Sequence, residues 1–265
     1  MMNDANEINH QTKLYGFIGE FAGQSSMSAT LNKELKINNK DAMMIPMNIR
    51  EDDFYFTVSN MKKSHVNGAV IANEYVTNVV ELLDESSDIV KSSGMCDILV
   101  RDGEKLVGDV ILIDILINFL KSNNLSKIAL IGTNHYAKAF VYGAKDLELS
   151  FYAENLEMLM NFTSSFEVKD ADINRIADGM QVDLSSFDAV VDFSDFDNLA
   201  MITSLTEINI DMKQKKTFSA LKQRAVELDN KYLGFEEMLD EISSGVFEFF
   251  KKKKHLEYDK SDMRF

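Results

Sequence analysis

Short β-rich runs alternate with helical stretches along most of this chain, and that alternation limits the fold more than any other feature. Residues 14–19 read as a strand, 29–38 as a helix and 41–49 as a second strand, which holds the only proline, Pro46. A helix over 51–63 and a strand over 68–72 follow. Beyond them Tyr75, Val76, Val79, Val80 and Leu83 recur at helical spacing and predict an apolar helix face. Runs at 96–101 and 105–107 flank Asp102-Gly103, a pair suited to a tight hairpin turn. Strands and helices in this order predict a largely parallel sheet covered on both sides.

A second unit begins near residue 110. The apolar run 110–120 is 11 residues long and is interrupted by Asp114, so it reads as a buried helix too short to cross a bilayer. The strand at 127–131 ends at Gly132 and leads into a helix from about Tyr136, with further strands at 147–152 and 188–193. This is the βαβ order of a Rossmann-type domain. Residues 235–254 predict an amphipathic helix with Met238, Leu239, Ile242, Val246 and Phe249 on one side, returning to the first domain. The lysine run 251–254 at its end opposes the negative pole of the helix dipole, with a docking patch for an acidic partner as the alternative.

Charge and cysteine usage narrow the function classes. With 28 Lys+Arg against 43 Asp+Glu, a net charge of −15 repels phosphate backbones and anionic headgroups, which argues against nucleic-acid and membrane partners. The single cysteine, Cys96, gives no intrachain disulfide and fits a reducing cytoplasm. The polar, acidic N-terminal residues do not read as a signal peptide. His10, His65, His135 and His255 lack metal-binding spacing, so no metal site is expected. The 15 methionines read as core filler, although Met27, Met95 and Met212 would also suit an apolar ligand.

Tyr15-Gly16-Phe17-Ile18-Gly19, followed by Ser25 and Asn32, resembles the opening of shikimate dehydrogenases. Gly68 to Asp84 has the length and pattern of that family's G-F-N-V-T-I-P-H-K segment. Gly94 to Val100 resembles its G-A-V-N-T-V-V, Leu106-Val107-Gly108 its L-x-G, and Phe187 to Ser194 its Y-D-L-I-I-N-A-T. The resemblance spans about residues 13–250. It implies an α/β fold of two domains: a substrate-type domain over 1–110, completed by 235–265, and a Rossmann-like nucleotide-type domain over 111–234, with a cleft between them.

At the positions that the resemblance marks for chemistry, this sequence departs from the family. The lysine and aspartate credited with proton transfer align with Val76 and Leu112, neither of which can move a proton. An acid–base contribution of roughly 10²–10⁴-fold is therefore missing there. The polar substrate grips align with Val70, Ala72, Asp97, Met212 and Ile242; of two carboxylate-holding serines, Ser25 remains and the other becomes Met27, unless a one-residue shift brings in Ser26 and Ser28. A polyol acid set against these side chains would lose about 1–3 kcal/mol for each unmade hydrogen bond. Asn73, Glu74, Tyr75, Asp97 and Asp109 are the remaining candidates for other chemistry, or else ordinary polar loop residues.

The nucleotide positions are altered as well. The glycine-rich loop becomes Gly132-Thr133-Asn134-His135-Tyr136-Ala137, in which Asn134 is able to hold a left-handed turn. Glu154 stands where the family's arginine meets the 2′-phosphate of NADP, and Asp192 and Phe193 stand near its nicotinamide side. The expectation is a pseudoenzyme that binds a small molecule or protein and takes no cofactor. The alternatives are an NAD- or NADP-dependent oxidoreductase with a new substrate, in which Tyr75 or Glu74 would serve, and an ordinary shikimate or quinate dehydrogenase with misaligned motifs.

Overall fold

The computed structural model describes residues 11–168, 170–214 and 217–253; Lys254, His10 and His255 lie outside them. The strands are β1 (Lys13–Gly19), β2 (Ala42–Asn48), β3 (Val66–Ile71), β4 (Glu85–Ser86), β5 (Ile98–Asp102), β6 (Lys105–Asp109), β7 (Lys127–Ile131), β8 (Glu148–Ala153), β9 (Asp172–Arg175), β10 (Val182–Asp183), β11 (Ala189–Asp192), β12 (Ile202–Ser204), β13 (Asn209–Ile210) and β14 (Tyr232–Leu233). The α-helices are α1 (Met27–Ile37), α2 (Glu51–Asn60), α3 (Asp88–Ser93), α4 (Leu112–Ser122), α5 (His135–Gly143), α6 (Leu156–Ser165), α7 (Ala220–Glu227) and α8 (Leu239–Lys252). Two compact units result. Unit 1 takes the described residues up to Val90, Cys96–Ile111 and those from Leu239 onward; unit 2 takes Lys91–Met95 and Leu112–Met238.

Unit 1 is built on a sheet of order β2-β1-β3-β5-β6-β4. β1 is parallel to β2 and β3, whereas β5 is antiparallel to both β3 and β6, so β5 alone runs against the rest. Central β1 is buried on both faces over Tyr15–Gly19, as a near-continuous apolar run requires. The β5–β6 hairpin pairs Asp102 with Lys105, which moves the turn one residue beyond expectation, to Gly103-Glu104. Gly103, at φ +59°, supplies the positive φ that such a turn needs at its first position.

Residues 73–83 form two 3₁₀ turns, Asn73–Tyr75 and Asn78–Leu82, in place of the expected α-helix. The Val76 carbonyl, which an α-helix would give to residue 80, accepts the Cys96 N–H at 2.8 Å instead. Val76, Thr77, Val79 and Val80 are also β-branched and helix-poor. The apolar face survives, because Tyr75, Val76 and Val79 are buried.

Helix α8 starts at Leu239, later than its periodicity suggests, because the Phe235 N–H is bonded to the Lys213 carbonyl within unit 2. Its buried stripe is Leu239, Ile242, Val246 and Phe250, and it packs on α1, whose own buried residues include Met27, Leu31 and Leu35. Phe250, not the half-buried Phe249, points inward: its ring centroid lies 4.2 Å from that of Tyr15, in space that Gly68 leaves open. Burying such a ring contributes about 1.5–3 kcal/mol.

Unit 2 carries a wholly parallel sheet of order β14-β13-β11-β7-β8-β9. In chain order this is the doubly wound 3-2-1-4-5-6 arrangement, with its switch point between β7 and β11. Right-handed crossovers then put α5 and α6 on one face and α7 on the other. The connection from β11 to β13 holds β12, paired with β10, in place of a helix.

Candidate functional site

In unit 1 the residues aligned with substrate grips lie at the carboxyl ends of the parallel strands, and most are part of the core. Met27, Val70, Ala72, Val76, Asp97 and Ile242 are all buried. Val70 sits on β3 opposite Ile98, and the Asp97 carbonyl accepts the Ile71 N–H at 2.8 Å, so these residues are knitted together by backbone. The Asp97 carboxylate accepts the Ile111 N–H at 2.7 Å, and Ser25 Oγ accepts the Met27 N–H at 3.1 Å at the start of α1. Both groups thus hold backbone. Leu112 and Met212 are buried within unit 2.

The polar candidates at 73–75 are occupied in the same way. Glu74 accepts the Glu20 N–H at 2.6 Å, and Tyr75 stacks on Phe54 and donates its hydroxyl to the Ile49 carbonyl at 2.8 Å. Burial pushes the Tyr75 hydroxyl pKa up, so it is a poor proton donor as well as a tethered one. Asp109 accepts from Ser87 Oγ and from the Val110 N–H. Cys96 is buried, and burial raises its thiol pKa far above the usual value, which leaves it inert. Among the described residues, no group of three or more His, Cys, Asp or Glu could hold a metal ion, and no helix is long and apolar enough to cross a membrane.

At the switch point of unit 2, Gly132 has φ +100°, and a Cβ there would lie 2.8 Å from the backbone of Phe193 and Ser194. The left-handed residue of this loop is therefore Gly132. Asn134 is extended (φ −73°, ψ −170°), contrary to the expected left-handed turn, because it serves as the N-cap of α5. Its side chain accepts the N–H groups of Tyr136 at 3.0 Å and Ala137 at 3.2 Å. Those are the donors that a helix N-terminus otherwise offers to an anion. His135 Nδ1 lies 2.8 Å from the Ser93 carbonyl, which can only accept, so that nitrogen carries the proton. Tyr136 stacks on Phe193 with centroids 5.8 Å apart. Thr133 is half-buried, Ala137 is buried, and Glu154 is exposed just beyond β8.

A pair of buried carboxylates closes the ends of β11 and β13. Asp211 is fully provided for, with its oxygens accepting from Tyr232 Oη at 2.6 Å, the Lys213 N–H at 3.0 Å and Ser219 Oγ at 2.5 Å. Asp192 Oδ1 accepts the Ser194 N–H at 2.8 Å, and Oδ2 is buried without a hydrogen-bond partner among the described residues. Burial pushes the Asp192 pKa up to about 6, and burial raises that of Asp211 too. Asp211 has no counterpart in the sequence reasoning above. Its signal was an aspartate ending the short strand-like run Ile208 to Asp211, as Asp192 ends Ala189 to Asp192.

No protein-family profile matches the chain. The shikimate dehydrogenase (NADP(+)) of Dictyoglomus turgidum is 25% identical over 174 residues, covering 61% of this chain and 63% of that protein. That of Clostridium perfringens is 33% identical over 93 residues, 35% of this chain and 34% of the relative. The chain thus aligns with less than two thirds of the length of these relatives. Among solved structures, an Ael1 enzyme from Pseudomonas putida superposes with a TM-score of 0.73 at 14% identity, over 93% of this chain and 99% of that one. A shikimate dehydrogenase in complex with NADP+ gives 0.72 at 15% identity, over 93% and 92%. The chain is a divergent shikimate dehydrogenase-like protein. A further structural neighbour, 5-ketofructose reductase of a Gluconobacter species, gives 0.70 at 14% identity over 92% and 93%, so this layout carries more than one substrate class.

Proposed function

We propose that this shikimate dehydrogenase-like protein is a binding protein for a small molecule or a protein partner and performs no dehydrogenase chemistry. The observation that carries this reading is the closed N-terminus of α5, where Asn134 takes the two N–H groups that would face a pyrophosphate. The residues present do not fit NADP: the loop offers its donors to its own side chain, and exposed Glu154 repels a 2′-phosphate. Val76 and Leu112, both buried and apolar, supply no proton at the places the family resemblance marks for it.

One feature supports a second reading, an oxidoreductase that uses NAD. Glu154, just past the end of β8, stands where an acidic residue meets the ribose hydroxyls of NAD in doubly wound folds.

Thermal shift with NADP, NAD, shikimate and quinate, each at millimolar concentration, separates the two. Binding tighter than that concentration raises stability by RT ln(1 + [L]/Kd). The binding-protein reading expects no shift with NADP or NAD and no reduction of dehydroshikimate. Protection by NADP, or turnover proportional to enzyme, overturns it. Protection by NAD alone that Glu154→Ala abolishes establishes the second reading in its place.

A further inference from the structure

Asp192 and Asp211 end adjacent parallel strands of unit 2, and both are fully buried. They differ in what surrounds them: Asp211 draws donors from three residues, and Asp192 from Ser194 alone, with Oδ2 left without a partner among the described residues. A buried carboxylate oxygen without a donor is tolerated far better protonated than charged. Asp192 is in register with Ile131, the residue before Gly132, and the next two residues, Phe193 and Ser194, are those whose backbone packs against Gly132. Any movement of the Asp192 side chain toward water must therefore disturb the turn that closes the switch point.

We infer that Asp192 is a proton-operated latch on the switch point of unit 2: protonated, it keeps the 192–194 turn packed on Gly132, and ionised, it favours opening of that turn to solvent. The charged groups acting on it are Asp211 on the neighbouring strand end, which opposes its ionisation, and Lys213 in the loop after β13, which assists it. Tyr232 and Ser219 give their hydrogen bonds to Asp211. This inference is independent of whether the protein binds a dinucleotide.

Linkage sets the size of the effect. If the open turn restores the ordinary carboxyl pKa of 3.8 from about 6, the opening equilibrium rises by at most about a hundredfold between acid and neutral pH. Amide hydrogen exchange of the full chain between pH 5 and 8, corrected for intrinsic exchange rates, reads this directly. The expected result is that protection of Phe193 and Ser194 falls by up to about tenfold between pH 5 and 8, while amides in the middle of β8 change little. In Asp192→Asn that fall should vanish, and in Asp211→Asn it should persist. Protection independent of pH in the wild type, or an unchanged fall in Asp192→Asn, overturns the latch. Should the Asp192→Asn chain fail to fold, the carboxyl carbon-13 shift of Asp192 in the wild type decides: a midpoint that does not track the exchange midpoint refutes the inference.

Discussion

Asn134 Oδ1 accepts the backbone N–H of Tyr136 at 3.0 Å, so the first turn of α5 is closed by the residue that precedes it. An asparagine cap stabilises a helix by about 0.5–2 kcal/mol relative to alanine, whereas glycine costs only a few tenths. Asn134→Ala should therefore lower the stability of the chain by about 1 kcal/mol. Asn134→Gly should be nearly neutral and leave the N–H groups of Tyr136 and Ala137 open. Pyrophosphate at millimolar concentration should then protect Asn134→Gly and not the wild type in a thermal-shift assay. Equal protection of the two proteins would show that the side chain does not block the anion.

Gly132 should tolerate no side chain. Its φ of +100° is strained for any L-residue, and a Cβ would meet the Phe193 and Ser194 backbone at 2.8 Å, where no flexible group can give way. Gly132→Ala is expected to destabilise the chain by about 1–3 kcal/mol in urea titration. Gly103→Ala makes the contrast: its φ is +59°, but nothing lies within 4 Å of the added Cβ, so only the backbone strain remains and the loss should be smaller.

Much of this architecture is legible in the sequence, and the misses have physical causes. Lys127–Ile131 with Gly132 after it declares the first Rossmann strand, because an apolar run ended by glycine is what a tight strand-to-helix turn requires. Residues 73–83 kept their apolar spacing and lost their helix, since one carbonyl, that of Val76, was taken by Cys96 from a distant part of the chain. Periodicity records which side chains are buried, not which backbone groups are free to pair. Asn134 is the harder case: asparagine suits both a left-handed turn and an N-cap, and only its position one residue before α5 chooses between them. The uneven provision for Asp192 and Asp211 was not legible, because it depends on Ser219 and Tyr232 reaching Asp211 from 8 and 21 residues away.

The return of α8 to unit 1 rests heavily on one ring. Phe250 is fully buried, packs in a tilted arrangement against Tyr15 with ring centroids 4.2 Å apart and lies 3.3 Å from the position a Cβ on Gly68 would take. Phe250→Ala removes both the transfer energy and the packing around it, and should destabilise the chain by about 3–5 kcal/mol. Phe249→Ala, one residue away and half-buried, should cost much less. Comparable losses in urea midpoint would mean that the helix face has been misjudged.

The dependence of stability on pH should have opposite slopes on its two sides. Asp84, held low by Lys62 and by the Leu106 N–H, and Asp188, held low by the N–H groups of Lys127 and Ser126, contribute stability above their ordinary carboxyl pKa and lose it as pH falls through their folded values. Asp192 acts in the reverse sense. Its folded pKa of about 6 exceeds the unfolded 3.8, so the native chain holds this proton more tightly. Its contribution is complete below pH 3.8 and is lost as pH rises through 6, a change of about 3 kcal/mol at 1.36 kcal/mol per pKa unit. Asp211 is shifted in the same direction and adds to the slope. Urea midpoints measured from pH 4 to 8 should therefore decline toward neutral pH in the wild type. Asp192→Asn keeps an acceptor for the Ser194 N–H and carries no charge, so its decline should be shallower and its midpoint higher than the wild type's at pH 7.5. A variant whose midpoint stays below the wild type's at pH 7.5 and runs parallel to it across the range would mean that Asp192 is ionised in the native fold and that its buried oxygen is satisfied.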